Sequence, residues 1–239
     1  ALAFVGGYVD AVGFVALARV FTGHITGNTV MLAIDLAEGT STDVFRRLLA
    51  VAMFLAGLVL AAIVNARLVR RGSRSRFAPV LALEALLLAP LMFGDGAFTH
   101  KATQGPPSNW TLFALVALAA TALGLQNGML RKVGEATVHT TYISGAVTKL
   151  TEGVLARWFR RRDRAHGRSS RPARGAADAD APPRAELVML AGVALAFAAG
   201  AICGVALYLS GGLVSLLVPV VLLLTIALVD AKRPLEEAG

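Results

Sequence analysis

Leu187–Leu209, LVMLAGVALAFAAGAICGVALYL, contains no charged side chain. A helix that crosses a bilayer needs about 20 consecutive, mostly apolar residues, and this stretch supplies them without a break. Hydrocarbon offers the backbone no hydrogen bonds, so such a segment must be a helix or part of a closed barrel. Barrel strands alternate apolar and polar residues. Here the apolar residues are continuous, which leaves the helix. Five further segments read the same way: Ala1–Ala18, Leu48–Val69, Phe77–Phe93, Trp110–Leu130 and Leu213–Val229. Composition agrees, with 56% of the 239 residues hydrophobic and a mean hydropathy of +0.67. Two shorter apolar segments remain, Ile25–Ala37 and Thr141–Ala156. The first is too short to cross about 30 Å at 1.5 Å per residue, and the second opens on a hydroxyl-rich stretch. The expected fold class is all-α, a polytopic membrane helical bundle. It has six full spans plus two short re-entrant or half-spanning helices.

The net charge of +8 is concentrated beside the apolar segments, the pattern of the positive-inside rule rather than of a nucleic-acid surface. Arg67, Arg70, Arg71, Arg74 and Arg76 follow the second span. A longer run, from Arg157 to Arg184, follows the second short segment; Arg131 and Lys132 follow the fourth span, and Lys232 and Arg233 the last. With all four sites cytoplasmic, both termini are cytoplasmic and the Asp95–Asn109 loop is external. Arg46 and Arg47 are the main exception. Neither short segment can cross fully without breaking this pattern, so each is expected to enter and leave on one side. The lone cysteine, Cys203, excludes a disulfide within one chain. No basic region precedes the first apolar stretch, so no signal peptide is read. The chain starts without Met, and residues are expected to precede Ala1.

The two halves share an order of elements. TGHITGN, Thr22–Asn28, matches TTYISGA, Thr140–Ala146, at a displacement of 118 positions. Each follows a span with a buried polar position and precedes a short segment and two full spans. The first half starts inside and the second outside, which makes an inverted-topology repeat. The expected organisation is a first repeat over 1–94, an external loop over 95–109, a second repeat over 110–230 and a cytoplasmic tail over 231–239. Within the second repeat, 160–185 is rich in Arg, Ala, Pro, Gly and Asp. It cannot bury a core and is expected to be a disordered cytoplasmic loop. Its arginines can bind anionic lipid head groups or serve only to set topology.

At FVGGYVDAVGF, FTGHITGNTV, LGLQNGMLRKV and TTYISGAVTKLTEG the chain resembles the YoaK-like family of bacterial membrane proteins. The motifs stand in order along nearly the whole chain. The resemblance implies a multi-pass inner-membrane protein with a loose link to transport, and it supplies no substrate and no catalytic residues.

Polar residues at membrane depth are the candidates for function. In the first half these are Asp10, Thr22, His24, Thr26, Gly27 and Asn28; in the second, Gln126, Asn127, Thr141, Ser144, Gly145 and Lys149. A helix starting near Thr26–Asn28 aims its unpaired N–H groups and positive dipole end at the midplane. Its counterpart near Ser144–Gly145 does so from the other side, an arrangement suited to a polar or anionic substrate. The competing reading is close helix packing through small residues. For Asp10 the alternatives are a coupling or substrate role and a structural bond to Gln126 or Asn127. Lys149 either meets an anion or pairs with Glu152 on one helical face. Glu84 is a lone carboxyl inside the third span.

The histidines form no metal set, and no nucleophile elbow, P-loop or zinc-protease motif is present. No cofactor or metal is expected. The leading reading is a secondary transporter of a small polar or anionic solute. The alternatives are a membrane-embedded or lipid-modifying enzyme and a fixed-pore channel. The expected surroundings are the lipid bilayer of the bacterial inner membrane, a small-molecule or ion substrate and no nucleic acid; the sequence is compatible with a homo-oligomer.

Overall fold

The computed structural model describes residues 1–73, 75, 77–94, 109–129, 131–133, 136–138, 143–165 and 183–233. Eight α-helices are found among them: α1 Leu2–Ala16, α2 Ile25–Glu38, α3 Ser41–Arg70, α4 Ala78–Leu88, α5 Asn109–Gly128, α6 Ile143–Ala165, α7 Arg184–Gly211 and α8 Leu217–Lys232. Short 3-10 turns extend α4 over Ala89–Phe93 and join α7 to α8 over Gly212–Leu216. Among the described residues an antiparallel strand pair lies between α5 and α6, β1 Arg131–Val133 with β2 Ala136–Val138.

The apolar runs form helices long enough to cross a membrane over Ser41–Arg70, Trp110–Gly128 and the continuous Arg184–Lys232. Leu2–Ala16 and Ala78–Phe93 are shorter apolar helices. The chain is a helical membrane protein. The segments read as Leu187–Leu209 and Leu213–Val229 run on as one 49-residue helical stretch. It breaks at Gly212, whose φ of 63° is a conformation that glycine adopts without strain.

The helix α6 is longer than its apolar segment. It runs through the basic stretch to Ala165, so the expectation of disorder from Arg160 is corrected at its start. Arginine is a good helix former, and the Arg162 guanidinium lies 5.5 Å from the centre of the Trp158 ring one turn before it, a cation–π contact. Residues 166–182 of the expected loop lie outside the described residues, and its last two, Arg184 and Ala185, already begin α7.

The helices pair as α1 with α7, α3 with α5 and α4 with α8, while α2 lies on α3 and α6 on α7. The first two crossings are made backbone to backbone. A Cβ on Gly7 would overlap the carbonyl oxygen of Phe197, and one on Gly200 would overlap that of Phe4. At the other crossing, a Cβ on Gly124 would overlap the carbonyl of Phe54, and one on Gly57 that of Thr121. Lipid supplies no hydrophobic drive for helix association, so such close approach through small residues is what holds membrane helices together.

Asp230 of α8 ties α4 in place. Its Oδ2 accepts from Ser75 Oγ at 2.7 Å and from the backbone N–H of Phe77 and Ala78 at 3.1 and 2.9 Å. A carboxylate from another helix thereby satisfies N–H groups that the start of α4 leaves open.

Candidate functional site

The site grows from the reversal between α1 and α2. After Ala16 the chain turns back through Ala18 and Arg19, with φ of 54° and 59°, left-handed values that cost a non-glycine residue about 1–2 kcal/mol each. Side chains hold the turn. Arg47 of α3 donates through a terminal guanidinium nitrogen to the Arg19 carbonyl at 2.9 Å and through Nε to Asp35 of α2. Asp35 and Arg47 are 6% and 4% exposed, so this ion pair is buried and neither member can lose the other cheaply.

Asp10 lies inside the turn and is 3% exposed. Its Oδ1 accepts from the backbone N–H of Thr22 at 2.8 Å, the Thr22 hydroxyl at 3.2 Å and the backbone N–H of Gly23 at 2.7 Å. Its Oδ2 meets His24 Nδ1 at 2.5 Å. Two backbone N–H groups and a hydroxyl thus converge on one oxygen, which serves them all as acceptor. Gly13, one turn after Asp10, leaves the notch that Thr22 fills: a Cβ there would stand 2.9 Å from the Thr22 methyl carbon.

His24 is the residue before α2 and is 34% exposed at its side chain. The Nδ1 contact with Asp10 fixes the ring and leaves Nε2 for a further hydrogen bond. The ring sits between Phe21, 5.7 Å away, and Phe197 of α7, 5.9 Å away and edge-on. The His24 side chain does not cap α2, so the first N–H groups and positive dipole end of α2 lie beside the imidazole. Asn28 closes the back of the turn. Its Oδ1 accepts from Phe21 N–H at 3.0 Å and its Nδ2 donates to Phe21 C=O at 2.6 Å.

The structure therefore gathers Asp10, Thr22 and His24 directly, with Asn28 one bonded step away. Gly27 packs under the Phe21 ring and Thr26 is exposed at the rim. Gln126 and Asn127 of α5 are buried but do not bond Asp10, the structural alternative for that carboxyl, whose partners are local. Gln126 Nε2 donates to the Leu2 carbonyl at 2.6 Å and Asn127 Nδ2 to that of Leu123 at 2.9 Å. Leu123 stands a turn from Asn127 and approaches Gly23, so this face of α5 borders the turn. On α6, Ser144 and Lys149 are exposed and Gly145 is half-buried. Among the described residues, Lys149 forms no ion pair, so the expected bridge to Glu152 is not made. Thr141 lies outside the described residues.

Residues 1–229 match the family described as protein of unknown function, DUF1275. The chain belongs to the DUF1275 family. This member is also 27% identical over 158 residues to the UPF0700 transmembrane protein YoaK of Bacillus subtilis (strain 168). The matched region covers 66% of each chain, so this chain spans just under two thirds of that relative's length. No solved structure matches it.

Four participants of the turn escaped the reading of the sequence: Asp35, Arg47, Phe21 and Phe197. Arg47 did carry a signal, because it was an exception to the charge rule. Its neighbour Arg46 also pairs, with Asp43 at 2.6 Å, so both exceptional arginines have acidic partners.

Proposed function

We propose that this protein is a secondary transporter of a small polar or anionic solute across the bacterial inner membrane. In this reading it is an inverted repeat of three-span halves, 1–94 and 110–230, with both termini cytoplasmic. The observation that carries the reading is the match between the two glycine crossings. Gly7 against the Phe197 carbonyl corresponds to Gly124 against that of Phe54, and Gly200 against Phe4 to Gly57 against Thr121. The same displacement, 117 positions, takes Phe4 to Thr121 and Gly7 to Gly124. A second displacement, 143 positions, takes Phe54 to Phe197 and Gly57 to Gly200. The exchange carries α1 on α7 into α5 on α3, carries α2 on α3 into α6 on α7, and returns α4 on α8 to itself.

Such scaffolds place broken helices at the interface of the repeats and work by rocking one half against the other. The turn at Asp10–His24 fits the role of a broken-helix site in the first half. The start of α6, at Ser144 and Gly145, is its counterpart. The His24 imidazole beside the open end of α2 suits a hydrogen-bonding or anionic group. Under the first displacement Asp10 corresponds to Asn127, so the halves supply unlike polar groups and one carboxylate serves the whole site.

The test is uptake into proteoliposomes from a panel of small anions and polar solutes under imposed ion gradients. At least one solute accumulates, and His24→Gln lowers its uptake by about tenfold or more, the effect of removing a group worth about 1.4 kcal/mol, with membrane insertion unchanged. Absence of gradient-driven uptake across the panel, or uptake indifferent to His24→Gln, overturns the proposal.

A further inference from the structure

Glu84 lies in α4, is 0% exposed, and neither carboxyl oxygen has a hydrogen-bond partner among the described residues. Its surroundings are apolar. Val80 and Leu87, on the same stripe of α4, pack with Leu125 of α5 and Leu60 and Val64 of α3. Leu81, Ala85 and Leu88 belong to the main core with Val220 and Leu223 of α8. Among the described residues no compensating charge is at hand. The helix α5 and the 3-10 turn Ala89–Phe93 carry no ionisable group. Arg67 and Arg70, at the end of α3, are exposed. On α8, Lys232 is exposed, and Asp230 accepts bonds at the start of α4. Six residues separate Ala78 from Glu84, about 9 Å of helical rise.

A carboxyl placed this way weakens packing. A leucine or methionine would fill the space without desolvating a polar group. Ionisable groups kept inside a membrane bundle mark ion or proton pathways.

We propose that Glu84 is an internal proton-binding site, neutral while α4 is sealed against α5 and α8 and ionised when movement between the halves admits water to it. The step is a reversible protonation, carboxylate plus H⁺ giving the carboxylic acid, with no other bond made or broken. This deepens the transport reading by naming the proton as coupling ion, and it rests on that reading for the movement that opens the site.

The test has two arms on the full chain in liposomes. In the first, dicyclohexylcarbodiimide, which adds to protonated carboxyls in apolar surroundings, modifies Glu84. Peptide mapping finds the adduct, with a rate that falls as pH rises, and Glu84→Gln abolishes it. Glu84→Met raises Tm. An unmodified Glu84, a rate indifferent to pH, or a lower Tm for Glu84→Met overturns the proposal, since each describes a structural carboxyl. In the second arm, Glu84→Gln keeps downhill exchange of the solute found by the uptake panel and loses its accumulation under a pH gradient. Accumulation retained by Glu84→Gln overturns proton coupling at this residue. Failure of the panel itself removes the transport reading, while the pH-dependent adduct still decides whether Glu84 binds a proton.

Discussion

Leucine in place of Gly200 forces α1 and α7 apart, and the expected result is a protein that loses its compact fold in detergent. The side chain would start where the Phe4 carbonyl stands. A backbone cannot swing aside as a rotamer does. Overpacking of a core costs about 1–3 kcal/mol and at times more, and a clash with backbone at a helix crossing belongs at the upper end. Gly57→Leu meets the Thr121 carbonyl in the matching way and is expected to lose a similar amount. Gly192 lies on the same helix as Gly200, with nothing within 4 Å of its would-be Cβ, so Gly192→Leu is the neutral control. Thermal unfolding followed by size-exclusion chromatography reads all three. A Gly57→Leu protein as stable as the native one would break the equivalence of the two crossings.

Asp10→Ala removes the acceptor of two backbone N–H groups, a hydroxyl and an imidazole at once. Each buried donor left without a partner costs about 1–3 kcal/mol, so the turn is expected to open and uptake to cease. Asp10→Asn separates the two consequences. Its carbonyl still accepts from Thr22 and Gly23, while its NH₂ cannot accept from His24 Nδ1. Tm therefore stays within a few degrees of native while uptake falls with the loss of the fixed imidazole. If Asp10→Asn transports normally, the Asp10–His24 pair is structural only.

The helices were legible from their uninterrupted apolar runs, the short ones included: α2 was expected over Ile25–Ala37 and is found over Ile25–Glu38. The site was legible in its residues but not in its bonds. Asp10, Thr22, His24 and Asn28 stood out as polar groups in apolar surroundings, yet the structural alternative for Asp10 was a bond across to Gln126 or Asn127. It bonds instead to the turn that follows its own helix, because Ala18 and Arg19 adopt left-handed conformations that no residue type there announces. The glycine crossings did leave a trace. Gly124 and Gly128, Gly200 and Gly204, and Gly57 and Ala61 are each four apart, the small-residue spacing of close membrane helices. Glu84 was visible as a lone carboxyl; only the packing tells whether such a side chain reaches head groups or is sealed inside.

Alternating access is the central claim, and Thr26 tests it directly with the solute found by the uptake panel. Thr26 is exposed in the first turn of α2, next to the His24 site. The lone native cysteine, Cys203, is also exposed and is first replaced by serine. Thr26→Cys is then treated with a membrane-impermeant thiol reagent in right-side-out and in inside-out vesicles. The account predicts modification from both faces, with a rate from one face that drops when the other is held open by transported solute. Modification from one face only, with or without solute, would contradict it.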